Sequence, residues 1–112
     1  MRKDLLQFAG FIVGFLIISW STLTPLDQLP PVPGSDKLHH VIGFGGWALM
    51  SAFGPSRRFL VMAMAIVCWG GAIELIQPSI NRYGEWADFI ANSTGVLLAM
   101  AVHWWIIKPR LK

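Results

Sequence analysis

An all-α integral membrane bundle of four transmembrane helices, with both termini in the cytoplasm, is the expected fold, and three features point to it. Hydrophobic residues fill 54% of the 112 positions and charged residues only 13%, about half the charged share of an average soluble domain. Four apolar stretches follow one another between residues 5 and 107, and most of the lysines and arginines collect at one set of their ends. A hydrocarbon core about 30 Å thick takes about 20 apolar residues per helix, so four crossings use most of the chain. A single transmembrane domain over residues 1–112 is expected, with little left for a soluble one.

The first stretch, residues 5–23, is interrupted strongly only by Gln7. Arg2 and Lys3 precede it as in a secretory signal, but no small-x-small cleavage site follows Trp20, so an uncleaved anchor is expected. Pro25, Pro30, Pro31, Pro33 and Gly34 then forbid a helix through residues 24–36. The second stretch, residues 38–53, reaches only about 24 Å at the helical rise. Gly54 and Pro55 end it, and Arg57 and Arg58 are expected to hold the following turn. The third, residues 59–77, is closed by Pro78; the fourth, residues 87–107, opens with Asp88 and ends against Lys108, Pro109 and Arg110.

Orientation follows from the cations. Arg2, Lys3, Arg57, Arg58, Lys108, Arg110 and Lys112 fall on one side, against Lys37 and Arg82 on the other, which places the first group in the cytoplasm. Trp20 and Trp86 then lie near the outer interface and Trp104 and Trp105 near the inner one. Gly10 and Gly14 form a GxxxG pair, and Gly43, Gly45, Gly46, Gly70 and Gly71 add small residues where helices must approach closely.

Several function classes are disfavoured. The lone Cys68 allows neither an intrachain disulfide nor a CxxC site. Despite a pI near 9.5, the basic residues edge the apolar stretches instead of forming a stripe, so no nucleic-acid partner is expected. No GxSxG, HExxH or P-loop pattern occurs.

The polar residues inside the stretches are not scattered. Lys37 and His40 open the second, Glu74 and Gln77 close the third, and Asp88 and Asn92 open the fourth, with Arg82 in the connecting loop. Alternating topology carries all of them to the outer leaflet. At about 100° per residue His40 lies about 60° from Lys37, whereas His39 points nearly the opposite way. Glu74 and Gln77 share a face, as do Asp88, Asn92 and Gly95. A carboxylate deep in a spanning helix costs about 2.5–3.5 kcal/mol on insertion scales, and the macrodipole at a helix C-terminus opposes Glu74 further. Lys37, His40 and Arg82 are the cations placed to offset that cost.

Each residue also has a structural explanation. Asp36 and Asp88 suit N-caps, Asn92 an interhelical hydrogen bond, and Lys37 a snorkelling position. His103 lies at the other end of the fourth stretch, far from the cluster.

At these residues the sequence resembles the VanZ-like family of small bacterial membrane proteins. The family pattern D-K-x-x-H-x-x-x-(Y/F), E-x-x-Q, a loop arginine and D-x-x-x-N-x-x-G reads here as Asp36, Lys37, His40 and Phe44, then Glu74 and Gln77, Arg82, and Asp88, Asn92 and Gly95. Phe44 stands where tyrosine is common, and the loop around Arg82 is about one residue shorter than the usual spacing. The resemblance implies a multi-pass protein of the bacterial inner membrane, in a family named for a member linked to resistance to the glycopeptide teicoplanin. It supplies no reaction.

The expected function is binding of an anionic lipid or lipid-linked cell-envelope precursor by Lys37, His40, Glu74, Gln77, Arg82, Asp88 and Asn92. Two alternatives stand beside it: an enzyme on a lipid-linked or cell-wall substrate, with His40 and Glu74 as acid/base candidates, and an envelope assembly factor. No cofactor and no metal are expected, although His40, Glu74 and Asp88 are residue types that bind metals.

Overall fold

Backbone amides and carbonyls in an apolar surround must find partners within their own segment, and the apolar stretches of this chain do so as helices. The computed structural model describes residues 2–24, 36–80 and 86–110. They form α1 (Arg2–Leu23), α2 (Asp36–Met50), α3 (Ser56–Ile76) and α4 (Trp86–Val102). A 3₁₀ turn, Gln77–Ile80, prolongs α3, while a π-helical turn, His103–Ile107, and a 3₁₀ turn, Lys108–Arg110, prolong α4. No strand occurs among the described residues.

Three of the four helices are long and apolar enough to cross a membrane: Asp4–Leu23, Ser56–Ser79 and Trp86–Arg110, which contain 18-residue windows of mean hydropathy 1.8, 2.2 and 1.5. The fourth, α2, has 15 residues and spans about 22 Å. The bundle measures 46 × 24 × 22 Å, its long axis close to the full thickness of a bilayer with its headgroups.

Surface and interior are inverted relative to a water-soluble protein. Leu5, Leu16, Leu75, Ile90, Leu97 and Trp105 are exposed, while Gln7, His40, Glu74, Gln77, Asp88, Asn92 and His103 are buried. An apolar exterior over a polar interior fits lipid as the solvent. Between the polar ends lies a core of Phe44, Trp47, Phe59, Ile66, Ile73 and Val96.

Close packing depends on glycine. α2 packs most extensively against α4, and a Cβ on Gly95 would run into the Val41 carbonyl oxygen and lie 2.8 Å from the Gly45 amide nitrogen. The Gly10 and Gly14 pair serves α1 against α2 within the chain: Gly10 faces the Met50 backbone and Gly14 the Trp47 indole. Trp47 Nε1 donates to the Phe11 carbonyl at 2.8 Å across the same contact.

The helix limits differ from expectation at several ends. α2 stops at Met50 rather than residue 53, and α3 starts at Ser56, so Arg57 and Arg58 belong to its first turn and not to the preceding loop. α1 begins at Arg2, three residues early. The cause of the first two shifts is the turn at residues 51–55, whose carbonyls are captured by side chains from other helices. Gln7 Nε2 donates to the Ser51 and Pro55 carbonyls at 3.0 and 3.2 Å, while Gln7 Oε1 accepts from Arg58 Nε at 3.0 Å. Arg58 also pairs with Asp4. From the other side His103 Nδ1 donates to the Ala52 carbonyl at 2.8 Å, and its Nε2 lies 2.8 Å from Ser56 Oγ.

Gln7, the single polar interruption of α1, is therefore a clamp. Leu in its place leaves the buried Ser51 carbonyl without that donor, a loss of about 1–3 kcal/mol, while the Pro55 carbonyl keeps the Phe59 amide and Arg58 keeps Asp4. Gln7→Leu should lower the thermal midpoint in detergent, whereas Leu6→Ala on the exposed face should leave it nearly unchanged.

Candidate functional site

The site is built where three helix ends meet, at the end of the bundle opposite the N-terminus. The first turns of α2 supply Lys37 and His40, the last turn of α3 supplies Glu74, and the first two turns of α4 supply Asp88 and Asn92. One ligand atom each from His40, Glu74 and Asp88 lies within 4.8 Å of the others, and all three residues are buried. Exposures of 7%, 4% and 2% mean that none of them faces lipid.

Asp88 is the hub. Lys37 Nζ lies 2.6 Å from its Oδ1, and His40 Nε2 lies 3.6 Å from its Oδ2. The other imidazole nitrogen, His40 Nδ1, is 2.6 Å from Asn92 Oδ1. An amide oxygen only accepts, so Nδ1 carries the proton and donates. Nε2 then turns toward Asp88 with a lone pair when the ring is neutral, or with a second N–H when it is charged. Asn92 thus sets which chemistry His40 offers.

Packing holds the ring in place. Phe44, 1% exposed, lies parallel to the imidazole with centroids 6.4 Å apart, and it also meets the Trp47 ring, centroids 5.9 Å apart. α3 approaches both partners through Gly70, one turn before Glu74: a Cβ there would sit 3.1 Å from Asn92 Nδ2 and from Phe44 Cε1. Lys37 differs from the rest. Its side chain is 44% exposed, so a half-exposed cation, held by Asp88, stands at the mouth of the buried group.

The remaining expected site residues separate. Gln77 is buried but donates through Nε2 to the Thr22 carbonyl at 2.9 Å, tying the end of α3 to the end of α1. Thr22 Oγ1 in turn donates to the Ile18 carbonyl at 2.6 Å. Arg82 and the side chain of Asp36 lie outside the described residues. His39 is half-buried and does not belong to the His40, Glu74, Asp88 group. His103 is engaged at the opposite end, as the sequence leads one to expect from its position.

Two contributors escaped the sequence reading. The sequence marks Gly70 only as a small residue for helix packing, yet it lets Asn92 and Phe44 approach α3; its spacing of four from Glu74, which puts both on one face, is the signal that points to it. At Phe44 the family pattern draws attention to the phenol that is lacking, whereas the flat apolar ring lies parallel to the imidazole.

This set can act in three ways. Its two carboxylates and an imidazole lone pair suit a cation, the Lys37 ammonium suits an anion at the rim, and the His40–Asp88 pair suits proton transfer. Away from it, Phe11, Ile12, Phe15, Trp47, Ala65 and Trp69 line an apolar groove of about 260 Å³ that contains none of the expected site residues. No family model, no curated protein and no solved structure matches the chain.

Proposed function

We propose that this is a VanZ-like protein of the bacterial inner membrane that crosses the bilayer four times with both termini in the cytoplasm. In this reading the polar end of the bundle lies at the outer leaflet and binds the anionic headgroup of a lipid or lipid-linked envelope precursor. Three apolar helices of spanning length support the bilayer environment, and the excess of cations at the other helix ends supports the orientation. The observation that carries the ligand class is the half-exposed Lys37 ammonium above buried His40, Asp88 and Asn92. A phosphate at that height is met by a cation on a flexible stem, while Asp88 keeps the stem oriented.

Native mass spectrometry of protein extracted in mild detergent and offered phosphatidylglycerol or phosphatidylcholine tests the proposal. Wild type should retain phosphatidylglycerol preferentially. Lys37→Ala removes one charge-assisted hydrogen bond, about 1.5–3 kcal/mol, and should weaken that retention by roughly tenfold or more. Equal retention of the two lipids by wild type and Lys37→Ala would contradict it.

A second reading, a membrane-embedded enzyme on a lipid-linked substrate, draws on the His40–Asp88 pair with its Asn92-oriented ring. The two readings part at His40→Gln. Simple binding through Lys37 leaves lipid retention largely intact in that variant; acid/base catalysis loses the cellular phenotype while retention persists. The VanZ-like resemblance makes teicoplanin susceptibility the phenotype to measure.

A further inference from the structure

We infer that His40, Glu74 and Asp88 form a binding site for one divalent cation of the zinc class. Three helices each contribute one ligand atom, and those atoms already lie within 4.8 Å of one another in a buried position. Zinc bonds of about 2.0–2.2 Å to nitrogen and oxygen require donors roughly 3.3–3.6 Å apart. His40 Nε2 and Asp88 Oδ2 stand at 3.6 Å, and with all three ligand atoms within 4.8 Å of one another small side-chain movements complete the set. One imidazole with two carboxylates is a three-ligand arrangement that leaves a coordination position for water or substrate.

Asn92 adds an independent reason. Metal-binding histidines usually donate their second ring N–H to a fixed acceptor, which sets the tautomer and the aim of the lone pair. His40 Nδ1 meets Asn92 Oδ1 at 2.6 Å in this role, leaving Nε2 directed at the Asp88 carboxylate. The amide nitrogen of Asn92 is also buried with no hydrogen-bond acceptor among the described residues. His103 offers no such site, because both its ring nitrogens are engaged by Ala52 and Ser56.

Lys37 makes the inference distinguishable from the lipid proposal. Its ammonium sits 2.6 Å from Asp88 Oδ1 and so competes with a metal for that carboxylate. Lys37→Met should therefore tighten the cation while it weakens retention of an anionic lipid.

The experiment is titration of chelator-treated, detergent-purified full-length protein with Zn²⁺ alone, followed by calorimetry and by elemental analysis after gel filtration. One equivalent is expected for wild type and for His39→Gln. His40→Gln and Asp88→Asn should lose uptake, Asn92→Ala should weaken it by about 10–100-fold, and Lys37→Met should strengthen it. Zinc should raise the thermal midpoint of wild type but not of His40→Gln, which separates loss of ligands from loss of folding. Absence of stoichiometric uptake by wild type, or uptake unchanged in both His40→Gln and Asp88→Asn, would overturn the inference.

Discussion

Gly95→Val should prevent the protein from surviving extraction as a folded bundle. The Cβ that the substitution adds would collide with the Val41 carbonyl oxygen and press on the Gly45 amide. Those are backbone atoms, so no rotamer change relieves the clash; α2 and α4 must separate instead. Overpacking relieved by side chains costs about 1–3 kcal/mol, and a clash against backbone should exceed that range, a large fraction of a total stability of about 5–15 kcal/mol. The α2–α4 contact also sets Lys37 and His40 against Asp88 and Asn92, so the polar site fails with it. Gly46→Ala is the control, since a Cβ at Gly46 meets nothing within 4 Å. Size-exclusion profiles and thermal midpoints in one detergent should show Gly46→Ala as native-like and Gly95→Val as aggregated or absent. A monodisperse Gly95→Val with an unchanged midpoint would show that the α2–α4 contact is looser than described.

Asp88→Ala should produce the largest loss of site function, together with a moderate loss of stability. Asp88 is 2% exposed and holds both Lys37 and His40. Removing one partner of a fully buried ion pair costs about 3–5 kcal/mol. Lys37 is 44% exposed and can turn to the headgroup region, so about 1–2 kcal/mol is the expected scale here. Replacing both partners by apolar residues avoids leaving a charge behind. Lys37→Met/Asp88→Leu should therefore recover much of the stability lost in Asp88→Ala, yet bind neither anionic lipid nor zinc. Stability and binding that rise and fall together across these variants would mean that the cluster is only a structural tie.

The helices were legible because hydropathy and length are properties of single segments. The ends of α2 and α3 were not, because residues 51–55 owe their shape to Gln7 and His103, which approach from α1 and the end of α4. No local propensity reports a partner some 50 positions away. The same limit explains Gln77. Its spacing from Glu74 placed it on the right face, but the Thr22 carbonyl that takes its amide belongs to a helix that the E-x-x-Q pattern does not mention. His40, Glu74 and Asp88 could be grouped in advance because alternating helix direction and an energetic penalty against lipid exposure point to one place. Their separations, and the Asn92 contact that sets the imidazole tautomer, required the folded chain. The π-helical turn at His103–Ile107 was likewise hidden; the Lys108 amide reaches back to the His103 carbonyl there, one position further than in an α-helix.

Cysteine labelling in intact cells addresses the proposed membrane arrangement most directly. With the native Cys68 replaced by Ser, single cysteines at Thr24, Arg57, Ser79 and Lys108 mark successive helix ends, and a membrane-impermeant maleimide reads the side on which each lies. Four crossings with the polar site outward require Thr24→Cys and Ser79→Cys to react from outside, and Arg57→Cys and Lys108→Cys to react only after the cells are permeabilised. Reversal of that pattern would put the Lys37, His40 and Asp88 cluster in the cytoplasm; reaction of Thr24→Cys and Arg57→Cys on the same side would mean that the short α2 does not cross.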